Sequence, residues 1–591
     1  MSTVILTGLP VPGSPLEDEL RSLGFDVRAV PAPEDAPAAL AGVPAGQRVA
    51  VVDSGFVGHP HALRLALTDP RFDACAVTGA FAVQPGARAA LERAAALTPD
   101  GEGPYADRLA AAVEASGTAV QRPELGTLVA AVPSGAAERA EALAAVAAVD
   151  DEAVRLRSAV KARDGFFTTF FISPYSRYIA RWCARRGLTP NQVTTASLLT
   201  ALLAAGCAAT GERWGYVTAG VLLLVSFVLD CTDGQLARYS LQYSTMGAWL
   251  DATFDRVKEY SFYAGLALGA ARDGDDVWAL ALGSMILMTC RHVVDFSFNE
   301  ANHDATANTS PTAALSDRLD SVGWTVWVRR MIILPIGERW AMIAVLTATT
   351  TPRIVFYALL IGCAFGALYT TAGRVLRSVT RRAKRTDRAA QALADLADSG
   401  PLAELVAKAA SRPRPLPRLP FAVLGALLVV GVAWYEPFGS TTVIYAALIY
   451  ALLSGDAVGI PPRGPLDWLL PPLFRAAEYT TVLVLAVKAD VPGALPAAFG
   501  LVAAVAYHHY DTVYRIRGGS GAPPRWLVRA TGGHEGRVLL AVVLAAVLAR
   551  EAFPVALTAV AVFVALVVLV ESIRFWVSAG APAVHDEGEP A

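Results

Sequence analysis

Four aspartates at fixed spacing carry the clearest chemical potential in the chain: Asp230, Asp233, Asp251 and Asp255. The stretch reads D-x2-D-G-x2-A-R-x8-G-x3-D-x3-D, with Gly234, Ala237, Arg238 and Gly247 at its other fixed positions. It begins where an apolar run, Trp214 to Leu229, ends. Carboxylates at the edge of a bilayer are costly, so four of them together point to function. Asp230 and Asp233 are three residues apart and Asp251 and Asp255 four, so each pair shares one helix face. Two facing helices then direct four carboxylates into one space, a hard-oxygen ligand set for one or two divalent ions. Magnesium or manganese suits all-oxygen ligation better than zinc. Gly234, Ala237 and Gly247 are small enough to let a ligand or a second backbone come close.

The elements that must position these residues are those of a membrane protein. Apolar residues make up 54% and charged residues 17% of the 591, a shift away from globular averages. Apolar runs at about 192–210, 214–231, 246–270, 276–298, 336–351 and 354–376 mostly approach the length that crosses a bilayer, the fifth being short. Three loops on one side carry single arginines, Arg213, Arg272 and Arg353, whereas Arg374, Arg377, Arg381, Arg382, Lys384, Arg385 and Arg388 crowd the other side. The positive-inside rule makes the crowded side cytoplasmic. An integral, multi-pass plasma or inner membrane protein is expected, with its N-terminal domain and aspartates facing the cytoplasm. That side also receives Arg291, Arg329, Arg330, Arg339 and Arg374. The net charge of −2 offers no global basic field, so nucleic acid is not an expected partner. Cys75, Cys183, Cys207, Cys231, Cys290 and Cys363 have no paired spacing, which argues against a disulfide frame or a zinc site. No basic segment followed by an apolar one opens the chain, so no signal peptide is expected.

Residues 1–158 alternate short β-like runs with helical ones and predict a soluble α/β domain with a largely parallel sheet. Thr3 to Leu6, Val49 to Asp53 and Gly126 to Val132 read as strands; Leu16 to Leu23, Ala62 to Leu67, Ala87 to Ala96 and Arg108 to Ala115 read as helices. Asp53 ends a buried-looking strand, where open α/β sheets place ligand-binding groups. His59 and His61 flank Pro60 and read as solvated loop residues. Residues 159–190 follow as a juxtamembrane amphipathic linker helix, with Arg177, Arg181, Arg185 and Arg186 opposite Tyr178, Ile179 and Trp182.

With no position of the signature missing, the stretch from Asp230 to Asp255 resembles the CDP-alcohol phosphotransferase (CDP-alcohol phosphatidyltransferase) family. The resemblance implies transfer of a phosphatidyl or phosphoalcohol group from a CDP-linked donor to an acceptor hydroxyl, with release of CMP. It makes Asp230, Asp233, Asp251 and Asp255 the ligands of two Mg2+ or Mn2+ ions and Asp255 also the general base. On this reading Arg238 holds a phosphate, while Gly234, Ala237 and Gly247 make room for the donor. Lys161 to Asn191 resembles the linker and first helix of enzymes that fuse an inositol-phosphate cytidylyltransferase to a di-inositol-phosphate phosphate synthase, which implies a cytidine contact for Asn191. Val51 to Val77 resembles a unit of sugar-phosphate nucleotidyltransferases. However, the turn Thr7-Gly8-Leu9-Pro10-Val11-Pro12-Gly13 lacks that family's glycine-rich, arginine-bearing loop, so an inactive module is expected. Arg339 and Arg374, each at a span end, are the expected ligands of a phosphorylated alcohol acceptor. The donor is either CDP-diacylglycerol, giving a phospholipid, or a soluble CDP-alcohol such as CDP-inositol. The family implies a homodimer. A non-catalytic membrane scaffold is the rival from another class, and the intact motif argues against it.

The expected catalytic domain is 191–378, a six-helix unit. A charged, then proline-rich cytoplasmic connector covers 379–417, and a second six-helix membrane domain covers 418–577, followed by a tail, 578–591. Apolar runs in that second domain lie at about 419–435, 440–454, 470–488, 493–507, 536–550 and 553–577. Arg475 to Tyr479 echoes Arg256 to Tyr260, and Gly455-Asp456 and His508 to Asp511 fall at matching span ends. The second domain therefore reads as a decayed duplicate with most motif carboxylates absent. His508, His509 and Asp511 are a candidate metal set, with polar anchoring at the membrane edge the favoured reading.

Overall fold

The computed structural model describes residues 2–97, 101–161, 164–303, 327, 331–380, 384–409 and 418–578. Arg329, Arg330, Arg381, Arg382, the run Arg412 to Pro417 and the tail after residue 578 lie outside the described residues.

The N-terminal domain is built on strands β1 (Ser2–Thr7), β2 (Phe25–Val30), β3 (Val49–Asp53), β5 (Ala74–Val77) and β6 (Ala80–Val83), in the order β2-β1-β3-β6-β5. Strand β1 pairs in parallel with β2 and β3, while β6 runs antiparallel to both β3 and β5. The sheet is therefore mixed, not largely parallel. The cause lies at Thr78-Gly79: Val77 pairs with Ala80, and a two-residue connection can only return the chain antiparallel. Gly79 has φ +76. Alternate residues fill the two faces: Ile5, Val49 and Val51 pack in one core cluster, and Val4, Leu6, Ala50 and Val52 in the other. The predicted strand at 126–132 shrinks to β7 (Ala130–Ala131), which pairs with β4 (Val57–Gly58).

Two expectations in this domain are corrected. His59 and His61 are buried, 2% and 3% exposed, not solvated. His59 Nδ1 accepts from the Val129 amide at 2.8 Å, and the packed helix Pro60–Thr68 takes His61 into the interior. Burial lowers the His61 pKa to about 4. Asp53, at the end of β3, holds its own domain together: its carboxylate accepts from the amides of Tyr105 and Ala106, both 3.1 Å, at the start of helix Tyr105–Ala115.

Beyond Ser173–Arg185, the junction helix, the long helices are α1 (Pro190–Ala208), α2 (Arg213–Ser240), α3 (Thr245–Arg272), α4 (Trp278–Asn302), α5 (Ile336–Thr349) and α6 (Pro352–Thr380). After the connector come α7 (Arg418–Tyr435), α8 (Thr442–Val458), α9 (Leu470–Ala489), α10 (Ala494–Arg517), α11 (Gly533–Val547) and α12 (Phe553–Ser578). By length and composition, seven stretches among the described residues could cross a membrane: Arg213–Ser240, Trp278–Asn302, Pro352–Thr380, Arg418–Tyr435, Asp467–Ala489, Arg525–Val547 and Arg550–Ser578. The chain is thus mostly helical with the character of a multi-pass membrane protein.

Small residues set the tightest crossings. A Cβ on Gly265 or Gly269 of α3 would fall 2.4 Å and 2.1 Å from the Ala205 and Ala208 carbonyls of α1. Within the connector Asp387–Leu396 and Pro401–Ala409 are helices, the first started by the Thr386 side chain accepting from the Ala389 amide.

Helix neighbours repeat between the halves. The junction helix packs on α2 as Pro401–Ala409 packs on α8. The pairs α1·α2, α1·α3, α2·α5, α3·α4, α4·α6 and α5·α6 have counterparts in α7·α8, α7·α9, α8·α11, α9·α10, α10·α12 and α11·α12.

Candidate active site

Helix α2 ends at Leu241, whose φ of 53° reverses the chain, and the Ser244 side chain accepts from the Gly247 amide at 2.9 Å to start α3. This short antiparallel connection brings the last turns of α2 beside the first turns of α3. Asp230, Asp233 and Asp251 each offer an oxygen, and these three lie within 4.8 Å of one another. No other such group of acidic, histidine or cysteine side chains occurs among the described residues. Asp233 is 4% exposed, and its Oδ2 is buried without a hydrogen-bond partner among the described residues. A buried carboxylate oxygen left without a donor fits a cation ligand, and the all-oxygen set fits a hard divalent ion.

Asp255 stands one turn deeper and outside that trio. Lys258 Nζ lies 2.8 Å from Asp255 and also ion-pairs with Asp230. At 1% exposure, the ammonium is enclosed between two carboxylates, with Ser197 Oγ at 3.3 Å. Sequence reasoning gave Lys258 no role at the site, although its place three residues after Asp255 puts both on one face.

A third helix closes the site. Thr189 and Gln192 form a reciprocal capping box at the start of α1, with Pro190 in its first turn. This places Asn191 against α3: a Cβ on Gly247 would sit 2.9 Å from both Asn191 Oδ1 and Ser244 Oγ. Gly247 thus permits the close approach of α1 and α3. Arg238 bends back toward Gly234 and donates to the Ala159 carbonyl at 2.6 Å. Ala237 is half-buried on the same turn. Ser176 Oγ donates to Gln235 at 2.7 Å, and Glu338 accepts from the Phe167 amide at 3.2 Å, so the junction is fixed to both α2 and α5.

The two arginines expected at the acceptor each face a carboxylate. Arg339 is 2% exposed and faces Glu259 at 3.4 Å; Glu259 in turn pairs with Arg256 at 2.8 Å and accepts from Tyr263 Oη at 2.7 Å. Arg374 pairs with Asp295 and lies over the Phe298 ring. Each guanidinium already faces a carboxylate, because a buried arginine needs a counter-charge.

In the C-terminal half, His508 and His509 face Asp398 at 3.1 and 3.3 Å. Asp511 turns instead to Ser572, Trp576 and Arg515. These three residues do not converge on one point, and all are buried.

The four aspartates lie within a stretch that matches a known family. Residues 187–368 match a family model described as CDP-alcohol phosphatidyltransferase, and residues 387–591 match one described as a family of unknown function (DUF5941). An archaetidylinositol phosphate synthase of Pyrococcus horikoshii is 35% identical over 115 residues, 19% of this chain and 58% of the relative. A bifunctional IPC transferase and DIPP synthase of Aquifex aeolicus is 30% identical over 127 residues, 21% of this chain and 28% of the relative. A phosphatidylinositol phosphate synthase of Streptomyces avermitilis is 30% identical over 130 residues, 21% of this chain and 51% of the relative. The chain spans between about a quarter and a little over half the length of these relatives.

Proposed function

We propose that the CDP-alcohol phosphatidyltransferase domain at residues 187–368 transfers a phosphatidyl or phosphoalcohol group from a CDP-linked donor to an acceptor hydroxyl, releasing CMP. The observation that carries this reading is the convergence of Asp230, Asp233 and Asp251 from two antiparallel helices within 4.8 Å. These three, with Asp255 beside them, would hold one or two Mg2+ or Mn2+ ions. A divalent ion there supplies positive charge for the donor diphosphate and for the CMP that leaves.

Asp255 takes the proton of the acceptor hydroxyl as its oxygen attacks the phosphorus that bears the donor alcohol. The bond from that phosphorus to the CMP oxygen breaks, and CMP carries the electron pair away. Lys258 fixes Asp255 and Asp230 at a set separation. Gly234 and Ala237 leave room beside α2 for the nucleotide, with Arg238 and Asn191 at its rim. The N-terminal domain lies on the same side as the aspartates, since Arg155 Nε donates to the Tyr239 carbonyl at 2.9 Å; the positive-inside rule, applied to Arg374 and Arg377 near the end of α6, supports reading that side as cytoplasmic.

Relatives named as phosphatidylinositol phosphate synthases favour CDP-diacylglycerol with a phosphorylated alcohol acceptor. Those named as DIPP synthases favour the second reading, a soluble CDP-alcohol donor and a phosphodiester product. The test is to incubate the purified full chain with CDP-diacylglycerol or CDP-inositol and a panel of phosphoalcohols, and to measure CMP. Release with one donor assigns the class; no release with any combination favours a membrane scaffold. The N-terminal domain should release no pyrophosphate from CTP and an inositol or sugar phosphate, since Asp53 is engaged within its own domain.

A further inference from the structure

A second polar cavity lies outside the aspartate site. It has a volume of about 450 Å³ and lies where the N-terminal domain, the junction helix and the end of α2 meet. Its charged lining is Arg64, Glu152, Arg155 and Arg185, with Tyr239 and Gln242 closing the α2 side. Tyr239 is nine residues beyond Asp230, half a turn out of phase, so the cavity opens on the opposite face of α2 from the carboxylates.

Positive charge dominates here. Glu152 already accepts from Tyr239 Oη at 2.8 Å and stands 3.8 and 3.9 Å from Arg181 and Arg185. Asp151 is the other acid near Arg64 and Arg155. Four arginines thus face two acids. Arg155 is held by its Nε bond to the Tyr239 carbonyl and by the Tyr239 ring, 3.6 Å from its Cζ. Arg64 is half-buried on helix Pro60–Thr68; its carbonyl accepts from Thr68 Oγ1 at 2.8 Å, while its guanidinium has no hydrogen-bond or ion-pair partner among the described residues. Burial and the neighbouring Arg64 charge lower the Arg155 pKa to about 10. Excess guanidinium charge in a partly closed pocket, with one arginine pre-oriented, is the chemistry of phosphate recognition.

We propose that this cavity is a binding site for a phosphate monoester, held by Arg64, Arg155 and Arg185 and distinct from the aspartate site. A phosphate carries about −1.5 to −2 charges near neutrality, enough to offset the surplus of the four arginines over the two acids. The group has two possible sources, a soluble phosphorylated metabolite or the headgroup of an anionic lipid. Because Arg155 and Arg238 both bond across the junction, to Tyr239 and Ala159, a ligand here would brace the N-terminal domain against the helix that carries Asp230 and Asp233.

The test reads binding without turnover, so its failure is separate from failure of the transferase reading. Full-length protein in zwitterionic nanodiscs with EDTA is titrated calorimetrically with inorganic phosphate and glycerol 3-phosphate. A parallel set of nanodiscs containing phosphatidic acid is compared by thermal unfolding. Wild type should bind a soluble probe, or be stabilised by phosphatidic acid; the responding arm identifies the source. Arg64→Gln, which removes no side-chain hydrogen bond or ion pair among the described residues, should weaken that response roughly tenfold or more. Asp230→Asn should leave it unchanged. No response in either arm, an unchanged response in folded Arg64→Gln, or loss of the response in Asp230→Asn would overturn the proposal.

Discussion

The catalytic and C-terminal membrane units share a buried charge pattern and differ in what lies above it. In the first, Arg256 pairs with Glu259 three residues on, at 2.8 Å, and Glu259 also faces Arg339 of α5. In the second, Arg475 pairs with Glu478 three residues on, again at 2.8 Å, and Glu478 binds Arg537 of α11 at 2.5 Å. Glu338 caps the junction at the Phe167 amide, and Glu535 caps Pro401–Ala409 at the amides of Gly400 and Ala403. Aligning Arg475 on Arg256 puts Leu470, Phe474 and Ala477 where Asp251, Asp255 and Lys258 stand. Phe474 is fully buried and stacks on His534, with ring centroids 4.3 Å apart. Asp398, at φ 51°, sends its carboxylate into this second cluster and meets Arg475, Arg537, His508 and His509.

The Arg–Glu–Arg set therefore occurs with and without the aspartates, which makes it framework. Arg339 belongs to that framework. The aspartates and Lys258 are what the first unit adds, whereas in the second Asp398 joins the set formed by Arg475, Glu478 and Arg537. On this shared framework we propose that the second unit is a decayed duplicate of the first.

The largest expected effect breaks the comparison at its active side. Asp255→Asn should lose roughly 10²–10⁴-fold in the rate of CMP release, and added metal should not restore it. Asp230→Asn should also lose activity but recover part of it at high magnesium or manganese, because a ligand and not a proton acceptor has gone. Equal rescue of both variants would remove the base assignment from Asp255. Chelation with EDTA should abolish CMP release in wild type.

In the second unit the same kind of change should cost stability. Asp398→Ala leaves Glu478 as the one carboxylate bonded to Arg475 and Arg537 among the described residues, and a buried ion network that loses one partner is weakened by about 3–5 kcal/mol. Thermal unfolding in detergent should show the loss, while CMP release per folded molecule persists. Loss of turnover in a folded Asp398→Ala would assign the second unit a direct part in the reaction.

The smallest effect sits between the units. Tyr510 of α10 bonds His292 of α4, and its Oη lies 3.4 Å from Arg256. Tyr510→Phe should cost about 1 kcal/mol in unfolding and leave the metal requirement unchanged. A shifted metal requirement would couple the second unit to the aspartates.

Periodicity placed the helices well: α1 to α12 fall close to the apolar runs, because a segment that must satisfy its backbone in lipid has to be continuously apolar and helical. It also placed the four aspartates on two facing helix ends, since both pairs keep helical spacing. The mixed sheet was less legible, as β5 and β6 are four-residue strands whose pairing depends on the Thr78-Gly79 turn. The helices at 387–396 and 401–409 were masked by their charge and by the prolines that follow.

By itself, then, the sequence determined the membrane class, the helix positions and the aspartate signature, all of which depend on residues near one another in the chain. The partners of buried charges were decided only by tertiary structure. Arg339 meets Glu259 from 80 residues away, and Asp398 meets Arg537 from 139. No local pattern encodes such pairs: burial makes each guanidinium seek a carboxylate, and only the packed helices determine which one is within reach.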